Sequence, residues 1–297
     1  MTQAHTTTFH VRHYECDAYG HLNNANYLRY MEHAAIQASA AAGYDDARYA
    51  ALGSIWLIRE TDIEYLLPLR AGDVVEVRTW VADFRRVRSR RRYEFIRVSD
   101  GALVARAATE WVYLDAKTLH PVAIPGEMIA AFTPARETAE PRLPFPALPE
   151  PPSCPYTQEQ RVEWRDIDMA MHVNNANYLS YMEACAVDSL GAFGWSMERM
   201  KAEDVAIVAR RHRIEYQQPA KLGDILRVTT FLADVRRASA LRYFTIVRQG
   251  DQALIARAQS RWAFISLATG RGRRIPESIL VDFADHIAGK PTGENFA

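Results

Sequence analysis

One sequence feature limits the possible folds more than any other: the chain repeats itself at a fixed distance. The stretch Asp17-Ala-Tyr-Gly20-His21-Leu-Asn23-Asn24-Ala-Asn26-Tyr27 returns as Asp168-Met-Ala-Met171-His172-Val-Asn174-Asn175-Ala-Asn177-Tyr178, an offset of 151 residues in a chain of 297. The same offset carries Tyr30-Met31-Glu32 onto Tyr181-Met182-Glu183, and Ile63-Glu64-Tyr65 onto Ile214-Glu215-Tyr216. It also carries Gly72-Asp73 onto Gly223-Asp224, Arg85-Arg86 onto Arg236-Arg237, and Trp111 onto Trp262. A register that holds without insertion over so long a stretch means one fold used twice. The length agrees, since it divides into two domains of ordinary size.

Between the copies, residues 133–156 hold eight of the 14 prolines. Proline donates no ladder hydrogen bond, so this segment is expected to be an extended linker. The expected domains are therefore 1–132 and 157–297. Basic and acidic side chains balance at 36 each, which argues against a nucleic-acid partner. Cys16, Cys154 and Cys185 are too few, and odd in number, for a disulfide framework. No apolar run resembles a signal peptide or a membrane span. The expected setting is cytoplasmic, with no membrane partner.

Periodicity gives each copy the same outline. Short opening strands are expected at Thr8–Glu15 and Gln160–Arg165, each followed by the Asp/His/Asn loop. A helix follows, with Tyr27, Tyr30, Met31, Ala34, Ala38 and Ala42 at helical spacing. Asn23 or Asn24 would cap its start, and Gly43 or Gly194 would stop it. The period then changes to two, at Val75, Val77, Thr79 and Val81 and again at Leu226, Val228, Thr230 and Leu232. Further strands are expected at 91–98 and 102–114, joined by a turn at Ser99-Asp100-Gly101, with copies at 241–248 and 253–267. One long helix followed by antiparallel strands is an α+β unit with its sheet packed on the helix. Pairing the two copies edge to edge would remove an exposed sheet edge.

The motif Asp17…Gly20-His21…Asn23-Asn24…Tyr27, with its copy Asp168…His172…Asn174-Asn175…Tyr178, resembles that of hotdog-fold acyl thioesterases of the 4-hydroxybenzoyl-CoA thioesterase type. The tandem arrangement also resembles plant-type acyl-ACP thioesterases. The resemblance implies two hotdog domains, each a long central helix wrapped by an antiparallel sheet, paired as an intrachain pseudo-dimer. It further implies a catalytic Asp, sites at the interface of the paired units, and helix N-terminal amides that polarise the thioester carbonyl. Two such chains could in turn pair as a homodimer. The second half departs from the pattern where Gly20 becomes Met171, which would narrow the groove and weaken or alter that site.

The chemistry suits the residues. A thiolate leaves readily, since an ordinary thiol has a pKa of about 8.5, so no strong general acid is needed. Asp17 and Asp168 would serve as general base or as nucleophile. Amides at Gly20, His21, Met171 and His172 would form the oxyanion site. His21 and His172 would orient water or the carbonyl, or brace the loop, while Asn23 and Asn174 would hold the loop or the Asp. Asn24, Asn26 and their copies read as caps and turn formers, and Glu32 and Glu183 as ion-pair partners. Arg85, Arg86 and Arg88, with Arg236 and Arg237, would clamp the phosphates of coenzyme A or form a solvated hairpin. Tyr44, Trp56, Tyr65 and Trp80 would line an acyl pocket or fill the core. No cysteine is shared between the copies, so a thiol nucleophile is not expected. No metal is expected either, because Asp17 and His21 lack further ligands.

The expected function is therefore an acyl-CoA thioesterase that needs no cofactor beyond the coenzyme A of its substrate. The alternatives are an acyl-ACP thioesterase and a non-catalytic acyl-CoA-binding protein of the same fold.

Overall fold

Apolar side chains at every second position build one face of each sheet, and that face meets one long helix. The computed structural model describes residues 4–132 and 144–289. The chain divides into two compact units, Met1–Pro144 and Phe145–Ala297. Of the expected linker, 133–143 lie outside the described residues, 144–155 form no helix or strand, and Tyr156 already opens a strand.

In the first unit the order is β1 (His5–His10), α1 (Asn24–Ala41), α2 (Asp46–Leu52), β2 (Ser54–Tyr65), β3 (Val74–Phe84), β4 (Arg88–Arg97), β5 (Leu103–Asp115) and α3 (Gly126–Phe132). Its strands lie in the order β1-β3-β4-β5-β2, with every neighbouring pair antiparallel. The second unit runs β6 (Tyr156–Arg161), α4 (Asn175–Ala192), α5 (Met197–Ala202), β7 (Ala206–Tyr216), β8 (Ile225–Ala233), β9 (Ser239–Arg248), β10 (Leu254–Ile265) and α6 (Glu277–Asp282). Its strand order, β7-β10-β9-β8-β6, is the same arrangement read from the other edge. Each unit is thus a hotdog domain of the α+β class.

Helix α1 packs on β1 and β3. It buries Ala25, Tyr27, Leu28, Tyr30, Met31, Ala34, Ala35 and Ala38, where the alanines let the sheet come close. Val75, Val77, Tyr93 and Phe95 are buried on the strands. Phe9 of β1 stacks on Tyr30 at 4.2 Å, and Tyr27 meets Phe95 at 5.2 Å and Tyr65 at 5.1 Å. Such aromatic pairs add about 0.5–1.5 kcal/mol each beyond burial. Of the aromatics expected in a pocket or core, Tyr44 and Tyr65 are buried, and Trp56 packs with Tyr44 in a second cluster around Met128.

The opening strands differ from expectation. β1 ends at His10, and a 3-10 turn occupies His13–Glu15; β6 ends at Arg161, and the matching turn is Trp164–Asp166. The reason is local: the Glu15 carboxylate accepts the Arg12 amide and the Tyr30 hydroxyl, each at 2.8 Å, so the backbone curls around it. Strands β2 and β7 were not expected at all. Their charged residues (Arg59, Glu60, Asp62, Glu64) hide the alternation, and a bulge between Ile58 and Glu60 breaks the period. Phe145, just past Pro144, lies against the guanidiniums of Arg257 and Arg213, at 4.8 and 5.3 Å, and Leu148 packs on the cluster of Phe231 and Tyr243.

Two buried histidines make the second unit sensitive to acid. Burial pushes the pKa of His212 down to about 3; burial, and then the Arg242 charge, push that of His286 to about 4. Below the ordinary value of about 6.5 the unfolded chain binds protons that the folded one refuses, so stability falls as pH falls. The expected loss is about 1.4 kcal/mol per pH unit per histidine between pH 6.5 and 4. Denaturant melts at pH 7 and pH 5 would show it, and His212→Asn should flatten the slope.

Candidate active site

The motif loop is organised by its own aspartate. The Asp17 amide donates to the His21 carbonyl at 2.8 Å, and the Gly20 amide donates to the Asp17 carbonyl at 2.9 Å. The Asp17 Oδ1 accepts the amides of Tyr19 at 2.8 Å and His21 at 3.1 Å. The carboxylate thus closes an Asx turn, while no partner among the described residues engages its Oδ2.

Asn23 is the N-cap of α1: its Oδ1 accepts the Ala25 amide at 3.0 Å. Asn24 is therefore the first helical residue, not the cap. Asn26 reaches backwards, its Nδ2 donating to the Glu15 carbonyl at 2.8 Å, and the Asn23 amide donates to that same carbonyl at 2.9 Å. The helix start is therefore tied to the turn that precedes the motif. In the second unit Asn174 caps α4 through the Ala176 amide at 3.0 Å, and Asn177 Nδ2 donates to the Asp166 carbonyl at 3.0 Å.

The two loops then diverge. Gly20 adopts φ +73° and Met171 φ +62°. The left-handed turn persists in both copies, and the second pays a methionine's strain for it. Asp168 Oδ1 accepts the Ala170 amide at 2.9 Å and lies 3.6 Å from His172 Nδ1. The His172 amide has no hydrogen-bond partner among the described residues. In the first loop the amides of Gly20, His21 and Leu22 are all engaged, the last by the Leu69 carbonyl at 2.8 Å. An oxyanion donor is thus open at His172 and closed at Gly20 and His21; Met171's amide donates to the Asp168 carbonyl at 3.0 Å.

His21 is pushed below its usual range by burial, against the raising effect of Asp17 and with a further lowering from Arg70. The first loop is thus edged by a positive charge. The second loop carries exposed apolar side chains instead: Trp164 is 72%, Met169 94% and Met171 65% exposed.

The arginines expected to clamp phosphate are not brought to the motif of their own unit. Arg85, Arg86 and Arg88 lie in or beside the β3–β4 turn, whereas the motif meets the other end of β3 through the bridge of His21 to Arg70. Eleven extended residues separate those ends by about 35 Å. Arg88 pairs with Glu110 at 3.0 Å, and Arg236 with Asp234 at 2.9 Å. Arg237 lies at the matching β8–β9 turn, where its carbonyl accepts the Ile275 amide at 2.9 Å. Among the described residues no cluster of three or more His, Cys, Asp or Glu side chains is arranged to hold a metal ion.

Beyond the β3–β4 turn, Arg91 and its copy in the second half, Arg242, are buried on the helix-facing side of β4 and β9. Their place in the period-two pattern, on the same face as Tyr93 and Phe95 or Phe244 and Ile246, was the available signal.

The comparisons with known proteins agree with the repeat. The family model of the thioesterase-like superfamily matches residues 11–132 and again 162–283. The acyl-CoA thioester hydrolase YbgC of Escherichia coli is 28% identical over 123 residues, covering 41% of this chain and 91% of that protein. A chloroplastic palmitoyl-acyl carrier protein thioesterase of Gossypium hirsutum is 22% identical over 275 residues, covering 86% of this chain and 62% of that one. Among solved structures, the 12:0-ACP thioesterase from Umbellularia californica superposes with a TM-score of 0.69 at 19% identity, over 88% of this chain and 94% of that one, a likeness of fold.

Three substitutions test the loop. Gly20→Met should cost about 1–3 kcal/mol, and Met171→Gly should be neutral or stabilising by less than about 1 kcal/mol. Asn23→Ala should lose about 1 kcal/mol of cap energy. Urea unfolding of the three variants checks all of this.

Proposed function

The chain belongs to the thioesterase-like superfamily over both of its halves, and on that premise we propose that it hydrolyses acyl-CoA thioesters to the free acid and coenzyme A. The observation that carries the reading is the aspartate in each motif loop, at the start of a buried helix, with one carboxylate oxygen held by two loop amides at Asp17 and one at Asp168, and the other without a partner among the described residues. The held oxygen fixes the side chain. The open oxygen takes a proton from water or attacks the carbonyl carbon itself, and the thiolate then leaves without strong acid assistance.

Asp168 is the better poised of the two. Beside it the His172 amide offers an unused donor to a developing oxyanion, and the helix dipole of α4 adds to it. The His172 ring, near the carboxylate, keeps the loop and the water in place, and Asn174 and Asn23 act through the caps they form. The exposed Trp164, Met169 and Met171 give the second loop an apolar rim suited to an acyl chain. Met171 thus marks a site altered rather than lost. The reaction needs no resident cofactor, because coenzyme A enters and leaves with the substrate. Cys16, Cys154 and Cys185 are all free thiols, which suits a reducing compartment, and the proposal places the enzyme in the cytoplasm. No helix among the described residues is long and apolar enough to cross a membrane.

A second reading changes the carrier. The Gossypium hirsutum relative, which spans both halves of this chain, is an acyl carrier protein thioesterase, whereas YbgC matches one half, so matched acyl-CoA and acyl-ACP substrates belong in the same assay. Asp168→Asn should lower turnover by about 100–10,000-fold, and Asp17→Asn by less. A folded double variant with wild-type turnover on every thioester would overturn the proposal. Tight acyl-CoA binding without hydrolysis by the wild-type protein would make it a binding protein instead.

A further inference from the structure

The first motif loop has committed its amides at Gly20, His21 and Leu22 to protein carbonyl and carboxylate oxygens, and a guanidinium stands beside it. Arg70 forms an antiparallel bridge with His21 just before β3, and the neighbouring Leu69 carbonyl accepts the Leu22 amide at 2.8 Å. Backbone pairing thus holds this arginine against the loop. Its side chain reaches over Gly20: Nη1 lies 3.8 Å from the position that a Cβ on that glycine would take, and no other atom beyond the adjoining residues comes within 4 Å of that position. Arg70 is exposed, and its own amide donates to Asp73 Oδ2 at 2.7 Å. Among the described residues no carboxylate pairs with its guanidinium.

The reacting carboxylate is on the same turn. The Gly20 amide closes that turn on the Asp17 carbonyl at 2.9 Å, which brings the two Cα atoms within about 7 Å. Asp17 Oδ2 and the Arg70 guanidinium therefore flank one loop, and neither is tied to the other. Such a pair suits a carbonyl group placed between them, its carbon toward the acid and its oxygen toward the cation. The second loop differs at both points. It keeps a basic residue at the same offset, Lys221, but puts Met171 in Gly20's place, where a longer side chain would crowd a guanidinium held as Arg70 is. It leaves the His172 amide open instead. Each loop thus offers a donor of a different kind.

Resting on the thioesterase reading, we propose that Arg70 is the oxyanion-binding residue of the first site, doing with a side chain what the His172 amide does in the second. As a nucleophile (water deprotonated by Asp17, or Asp17 itself) adds to the carbonyl carbon, the C=O electron pair moves onto oxygen. The guanidinium N–H groups bind that oxyanion. Its collapse re-forms the C=O bond and breaks the C–S bond, and the electron pair leaves on sulfur as the thiolate. The ground-state carbonyl carries little charge, so the contact strengthens as the reaction proceeds and is read in kcat rather than in KM.

The test uses the full chain carrying Asp168→Asn, so that the first site alone turns over, with an acyl-CoA that the wild type hydrolyses. Adding Arg70→Met should lower the remaining kcat by about 100-fold and leave KM within about threefold; the loss is at the low end for an oxyanion donor because this guanidinium is exposed. Arg70→Lys should keep part of the rate, since it keeps the charge without the fork. Guanidinium ion added to Arg70→Ala should restore turnover where sodium chloride at the same concentration does not. An unchanged kcat overturns the proposal. A raised KM at unchanged kcat makes Arg70 a ground-state contact to a carrier phosphate and overturns it too. So does a kcat loss that comes with a lower melting temperature and no rescue by guanidinium, which marks structural support. Should Arg70→Met fail to fold, Arg70→Gln gives the same kcat reading. If Asp168→Asn alone abolishes turnover, the first site does not work and the role of Arg70 falls while the thioesterase reading stands. If the wild type hydrolyses no thioester, both fall together.

Discussion

The position at which the long helix begins governs the rest of the structure. Asn23 fixes it by capping α1, and the Glu15 carbonyl, which accepts both the Asn23 amide and the Asn26 side chain, ties that start to the preceding turn. Tyr30, one turn further along, reaches back to the Glu15 carboxylate and stacks on Phe9. Loop, helix and first strand are thereby held in one arrangement. The reacting aspartate inherits its position from this frame, since the loop it closes is only four residues long. A cap energy of about 1 kcal/mol is small, but here the cap also orients the site.

The second copy keeps this frame with different side chains. Asp166 stands where Glu15 does, and its carbonyl still receives Asn174 and Asn177. What changes is what the loop leaves unspent. Among the described residues the first loop engages the amides of Gly20, His21 and Leu22, while the second leaves that of His172 without a partner and exposes its methionines to solvent. Duplication explains why such drift is tolerated: each unit has its own set of strands and its own long helix, so a change in one loop need not disturb the other.

The main elements were legible because their signals are strong. The 151-residue offset, the helical spacing of Tyr27, Tyr30 and Met31, and the alternation in β3 and β8 all follow from burying one face. β2 and β7 escaped notice because their charged residues and a bulge erase the period. β1 was drawn too long because Glu15 looks like a strand residue until Tyr30 and the Arg12 amide are seen around its carboxylate. At the motif, Asn23 and Asn24 could not be separated by residue type; only the bond to the Ala25 amide decides between them. The arginine run divides for a different reason. Arg85 and Arg91 stand close along the chain, yet the β3–β4 turn leaves Arg85 in solvent and the pleat of β4 turns Arg91 into the core.

The uninterrupted repeat also has a cost during folding. Two segments of equal length and pattern offer a growing chain near-equivalent partners, and misassembly between like units is a known hazard of repeated domains. The outer strands carry a remedy. β1 reads His-Thr-Thr-Thr-Phe-His and β6 reads Tyr-Thr-Gln-Glu-Gln-Arg, so the two share little beyond one threonine. Phe9 of β1 fits Tyr30 by stacking, whereas β6 offers Gln160 at that position. Each edge strand therefore carries an address for its own helix, and the sequence drift between the copies also serves to keep their folding apart.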